Sequence, residues 1–164
     1  MDREEVYKEL EYLYQEFPVV RKYYKLKFSG KEYTDELKQE LVTRYQNKID
    51  AAIFPNELFE GGLELDKVDR LLTSFKKKRQ FQYFLEIGIY SIQQANVMAE
   101  MYGGDFGEDY YLYFEELYEE LIEKASELGL SEEYKPMFHE LAKSAFEGYG
   151  HYDQLNILFE EKYC

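Results

Sequence analysis

The sequence predicts an all-α fold of seven or eight helices in a single domain over residues 1–164, and three observations lead there. Apolar residues recur at steps of three and four along nearly the whole chain, which is the period of one helix face. Only 3 prolines interrupt that pattern in 164 residues, and proline is the residue that most disrupts a helix interior. No stretch alternates apolar and polar with β-branched enrichment, so no sheet is expected.

Taken in order, Val6, Leu10, Leu13 and Phe17 form one stripe of a first helix. Pro18 opens a second, shorter segment through Tyr23, Tyr24 and Phe28, which Ser29 and Gly30 end. A third helix carries Leu37, Leu41, Tyr45, Ile49 and Ile53 at a strict spacing of four, with Asp35 and Glu36 at its electropositive start. Pro55 stops it, and Pro55 to Glu64 reads as a loop. Asp66 is the expected N-cap of a fourth helix with Val68, Leu71, Leu72 and Phe75 inside. Lys76, Lys77, Lys78 and Arg79 fill its last turn, where cations complement the dipole.

The next helix, from about Phe81 to Tyr102, is apolar on most sides through Phe84, Leu85, Ile87, Ile89, Ile92, Ala95, Val97, Met98 and Met101. Such a helix belongs in the middle of the structure and is the expected hub. Gly103 and Gly104 end it. A long amphipathic helix follows, with Tyr110, Phe114, Leu117, Leu121, Ala125 and Leu128 on one stripe and Glu115, Glu116, Glu119, Glu120 and Glu123 on the wet face. Gly129 terminates it and Ser131 is expected to cap a seventh helix packed through Phe138, Leu141, Ala142, Ala145 and Phe146. After Gly148-Tyr149-Gly150, Asp153 is expected to cap a last helix carrying Leu155, Leu158 and Phe159. Short connections make neighbours antiparallel, so the expected architecture is a short right-handed αα-superhelix of tetratricopeptide or HEAT type, with a closed bundle as the alternative.

Composition bounds the function. A charged fraction of 33% beside 45% apolar residues describes a globular chain. No window approaches the roughly 20 apolar residues of a membrane span, and no membrane partner is expected. The acidic start Met1-Asp2-Arg3-Glu4-Glu5 is unlike a secretory signal, and the sole cysteine, Cys164, cannot form an intramolecular disulfide; both point to a cytoplasmic protein. Net charge is −14 overall, but residues 21–31 and 67–79 each carry +5, which leaves −24 for the rest. That field disfavours nucleic acid as a partner.

Four segments, in order and at matching spacing, give a resemblance that spans most of the chain. They are Val20-Arg21-Lys22-Tyr23-Tyr24-Lys25-Leu26-Lys27-Phe28, Ile53-Phe54-Pro55-Asn56, Ser74-Phe75-Lys76-Lys77, and Gly148-Tyr149-Gly150-His151-Tyr152-Asp153-Gln154-Leu155. Together they resemble an uncharacterised bacterial family of small all-helical proteins, a domain of unknown function. The resemblance implies a bacterial, intracellular, helical protein and supplies no chemistry. The chain departs from the family pattern between Asn56 and Gly62, where acidic Glu57 and Glu60 replace a basic, glycine-containing loop and weaken a phosphate-binding role.

No catalytic site is legible and no cofactor is expected. The two histidines, His139 and His151, lack a His-x-x-x-His or Glu-x-x-His partner. Were they to converge with Glu147 and Asp153 they would make a divalent-metal or acid–base cluster; otherwise His139 edges the core and His151 sits in the turn that enters the last helix. Gly148-x-Gly150 lacks the third glycine, strand and lysine of a phosphate cradle. Asp66 and Asp69 lack the glycine and closing glutamate of a calcium loop. The remaining candidates are binding features. Arg21, Lys22 and Lys25 interleave with Tyr23 and Tyr24, a pattern that can hold phosphates and stack bases, and Lys76, Lys77, Lys78 and Arg79 could add a second contact. The same positive patches on a negative molecule suit protein recognition. Eighteen tyrosines exceed what one core of this size needs, and tyrosine favours interfaces. The leading expectation is a non-enzymatic module that binds a protein or peptide partner on a tyrosine-lined helical surface, with nucleic acid second and a metal-assisted enzyme third.

Overall fold

The computed structural model describes the backbone of residues 3–28, 31–54 and 63–164, and the side chains of these except residues 23, 25–28 and 31–34. Among the described residues there are eight α-helices and no strand. They are α1 (Arg3–Glu16), α2 (Pro18–Phe28), α3 (Lys31–Ile53), α4 (Leu65–Lys77), α5 (Phe81–Tyr102), α6 (Glu108–Glu127), α7 (Ser131–Lys143) and α8 (His151–Tyr163). The all-α class and the number of helices agree with the sequence. The chain divides into two compact units, Met1–Thr43 and Arg44–Cys164, with α3 contributing to both.

In the first unit, α1 and α2 are separated only by Phe17. The amide of Phe17 donates to the Leu13 carbonyl at 3.0 Å and that of Arg21 to the Phe17 carbonyl at 3.1 Å, so helical bonding resumes across the break. Pro18 has no N–H, which deprives the Tyr14 carbonyl of its helical donor. Arg21 supplies the replacement: its Nε donates to the Tyr14 carbonyl at 3.1 Å and its Nη2 to the Gln15 carbonyl. Lys22 reaches Glu40 on α3 at 3.1 Å.

This arrangement sets an expected outcome. Arg21→Ala leaves two carbonyls at the break to solvent and lowers the local stability of α1 and α2 by about 1 kcal/mol, one net hydrogen bond to a charged group at an exposed site. Amide exchange over residues 3–28 measures it. Combining it with Pro18→Ala, which restores the missing N–H, shrinks the loss. Equal losses in both backgrounds would mean Arg21 does not serve the proline break.

The first helix carries its stripe on the surface. Its stripe is not buried: Val6 is 40%, Leu10 39% and Phe17 48% exposed, and no residue of α1 is buried at all.

The second unit is built around α5, which packs against α4, α6 and α7. Eleven of its residues are buried, including Phe84, Leu85, Ile87, Ile92, Ala95 and Met98. Two residues expected inside, Val97 and Met101, face solvent, because even the hub helix leaves one edge uncovered. The buried polar residues on α5 are paired, Ser91 with the Ile87 carbonyl at 2.7 Å and Asn96 with the Leu141 carbonyl at 3.3 Å. Gly88 lets α6 approach closely: a β-carbon there would lie 2.6 Å from Leu121 Cδ2. The stripe of α6 is buried as read, except that Leu128 is 40% exposed where the helix ends.

Three expected side-chain caps fall one to three residues inside their helices. Glu64, Leu130 and Gly150 occupy the N-cap positions of α4, α7 and α8, and none makes a side-chain capping bond. Asp66, Ser131 and Asp153 lie in the first turns instead, where Asp66 and Asp153 still complement the dipole. Lys67 pairs with Glu64 at 2.6 Å. The seventh helix stops at Lys143, so Ala145 and Phe146 pack from the turn that follows it. The loop read at Pro55 to Glu64 lies, up to Gly62, outside the described residues.

Candidate interaction surface

The structure separates the expected basic patches into engaged and exposed groups. Arg21 and Lys22 serve the α1–α2 break and the Glu40 contact. The side chains of Tyr23 and Lys25 lie outside the described residues. Tyr24 is half-buried, its ring 6.5 Å from that of Tyr14. On α4, Lys76 donates to both oxygens of Glu120 at 2.7 and 3.0 Å and lies over the Phe84 ring at 5.3 Å. It sits beside a cleft of about 110 Å³ that Asp69, Tyr113 and Glu116 also line. Lys77, Lys78 and Arg79 remain exposed at the end of the helix. Arg79 adopts a left-handed backbone (φ 57°), and the next amide, Gln80, closes the turn on the Phe75 carbonyl at 2.9 Å.

The histidine cluster does not form. Among the described residues no three His, Cys, Asp or Glu side chains come together as a group that could hold a metal ion, which removes His139, Glu147, His151 and Asp153 as a ligand set. His139 is exposed against the Phe159 ring, with centroids 5.2 Å apart, and Glu147 and Asp153 are exposed. His151, by contrast, is 2% exposed, and its Nδ1 bonds Glu115 Oε1 at 2.9 Å. The sequence puts Glu115 on the wet face of α6; a partner 36 residues away turns it inward. Burial opposes a second proton on His151 and holds its pKa below the ordinary 6.5, outweighing the Glu115 bond and charge that pull upward.

The sign of the resulting pH dependence follows. Below about 6.5 the unfolded chain takes up a proton at His151 that the folded chain resists, so stability is full above that pH and falls as pH drops toward 5. Urea midpoints between pH 7 and 5 should decline, and His151→Gln, which keeps a donor but does not titrate, should flatten the profile. Stability that rises on acidification would mean that the Glu115 carboxylate overrides burial.

The tyrosines fall into two populations. In the second unit they belong largely to the core, with hydroxyls directed at main-chain oxygens. Tyr110 donates to the Ala95 carbonyl at 2.8 Å, Tyr111 to Gly104 at 2.6 Å and Tyr118 to Phe138 at 2.9 Å. Tyr90 donates to Asp50 at 2.8 Å, and burial together with that carboxylate pushes its pKa up to about 12. These rings are structural. On α1 the opposite holds: Tyr7 is 60%, Tyr12 55% and Tyr14 37% exposed, beside the open Val6, Leu10 and Phe17. Arg3 lies over the Tyr7 ring at 5.7 Å, and Tyr12 meets Phe17 edge-on at 6.2 Å. Sequence periodicity marks the stripe of α1 but not what covers it.

No protein-family model, no curated protein and no solved structure matches this chain.

Proposed function

We propose that the protein is a non-enzymatic interaction module that binds a protein or peptide on the aromatic face of α1. One observation carries this reading: a helix of 14 residues with no buried side chain displays Val6, Tyr7, Leu10 and Tyr14 on one side, with Phe17 just beyond its end. A contiguous apolar and aromatic surface of this kind is costly in water unless something covers it. Tyrosine supplies contact area while keeping a polar tip for solvent or a partner. Binding of nucleic acid is the weaker reading, since Arg21, Lys22 and Lys76 already have partners and the chain carries −14. Among the described residues no helix is long and apolar enough to cross a membrane. With one exposed cysteine, Cys164, a reducing cytoplasm is the compartment this reading favours, in a bacterial cell if the family resemblance holds.

The test is capture of partners, under nuclease, by wild type and by a Val6→Gln/Leu10→Gln variant that keeps the charge of α1. The reading requires a protein that wild type retains and the variant loses. After purification, that protein must protect amides of residues 3–19 from exchange. Identical captures by both proteins, or protection confined to other helices, would remove α1 as the binding face.

A further inference from the structure

We infer that the occupant of the α1 face is a basic amphipathic helix of another protein, laid along the seam formed by Val6, Leu10, Leu13 and Phe17; the inference rests on the interaction reading above. The four residues follow one another at steps of four, three and four, which is the alternation of seam positions in paired helices rather than the spacing of a single isolated contact. Val6, Leu10 and Phe17 are 39–48% exposed and Leu13 is half-buried. With 14 residues, α1 spans about 21 Å, room for roughly two heptads of a partner helix.

The two rims of the seam differ. Turning about 100° per residue places Tyr7 and Tyr14 along one side and Glu9 and Glu16 along the other. Both glutamates are exposed. In heptad terms, with Leu10 and Phe17 at a and Val6 and Leu13 at d, the tyrosines occupy e and the glutamates occupy g. Those flanking positions select partners in paired helices.

The rims argue against a second copy of this chain. Two parallel copies would set Glu9 against Tyr14, with no opposite charge to meet it. Two antiparallel copies would bring g against g and oppose glutamate to glutamate. A partner helix with Lys or Arg facing the g rim meets opposite charge in either direction, and the acidic molecule behind it adds long-range attraction. The same rim and the net charge of −14 repel an anionic membrane surface, the other common destination of an exposed amphipathic helix.

The test uses the full chain and two synthetic peptides of about three heptads with leucine at a and d, one with lysine at e and g and the other with glutamate there. Affinity is read by titration calorimetry. Wild type should bind the lysine peptide at least ~tenfold more tightly than the glutamate peptide at low salt, with the gap narrowing as salt rises. Glu9→Lys with Glu16→Lys should reverse the preference. Val6→Gln/Leu10→Gln/Leu13→Gln, which leaves charge untouched, should abolish binding of both. Preference that survives the double lysine variant, or lysine-peptide binding that survives the glutamine variant, would locate the attraction in the general acidity of the surface and overturn the inference. Failure to bind either peptide also overturns it. If sedimentation then shows a dimer dispersed by the glutamine variant, the occupant is a second copy. If α1-dependent capture of some other protein persists, the interaction reading stands without this partner class. If neither is seen, both readings fall together.

Discussion

Ala95→Asp is expected to abolish the folded state of the second unit. Ala95 is 2% exposed at the centre of α5, and its carbonyl accepts the hydroxyl of buried Tyr110 at 2.8 Å. A carboxylate there has no water and no cation to meet. Taking up a proton instead, at pH 7 and against an ordinary pKa near 4, costs about 4 kcal/mol. The neutral acid still buries a polar group in apolar surroundings, for about 1–3 kcal/mol more. A domain of this size holds roughly 5–15 kcal/mol in all, so most or all of it disappears. Circular dichroism and urea melts should show a chain without a cooperative transition. The control is on the same helix: Val97→Asp, at a site 47% exposed, should change stability by no more than about 0.5 kcal/mol. If Ala95→Asp melts like wild type, α5 is not the hub of the unit.

That hub was legible in the sequence because nearly every face of residues 81–102 is apolar, and only a central helix can be covered on so many sides. The same logic applied to α1 gives a stripe and no destination for it. Amphipathic spacing records that a face avoids water, but it carries no information on which element covers it. Here Val6, Leu10 and Phe17 stay 39–48% exposed, and the stripe becomes the candidate site.

Pairings between distant residues were illegible for a related reason. Glu115 sits among glutamates that do face solvent, and only the arrival of His151 from 36 residues away singles it out. Lys76 and Glu120, 44 residues apart, read as a patch and a wet face until α4 and α6 each pack against α5 and bring the two side chains together. In the sequence Arg21 stands out by its charge and its aromatic neighbours. Its use follows instead from Pro18, three residues before it, which opens the carbonyls that the guanidinium fills. Backbone demand, more than charge pattern, decided where that cation went.

Gly104→Ala should cost far more than the same change one residue earlier. Both glycines turn the chain from α5 toward α6 with left-handed backbones, Gly103 at φ 74° and Gly104 at φ 72°. For alanine that conformation alone costs about 1–2 kcal/mol. A β-carbon on Gly103 meets nothing within 4 Å, whereas on Gly104 it would lie 2.0 Å from Phe146 Cε1. The ring cannot yield freely, because it stacks on Tyr111 with centroids 6.2 Å apart, and Tyr111 in turn stacks on Tyr149 at 5.1 Å and touches His151 at 5.1 Å. The Tyr111 hydroxyl also returns to the Gly104 carbonyl at 2.6 Å. Overpacking of this kind adds about 1–3 kcal/mol. Gly104→Ala is therefore expected to lose about 2–5 kcal/mol in urea melts and Gly103→Ala about 1–2 kcal/mol. A double-mutant cycle isolates the clash: on a Phe146→Ala background the ring is gone, and Gly104→Ala should fall to the cost seen at Gly103. Equal losses at the two glycines in the wild-type background would mean that the aromatic stack yields to the new methyl, and that the turns before α6 and α8 are not locked together through Phe146.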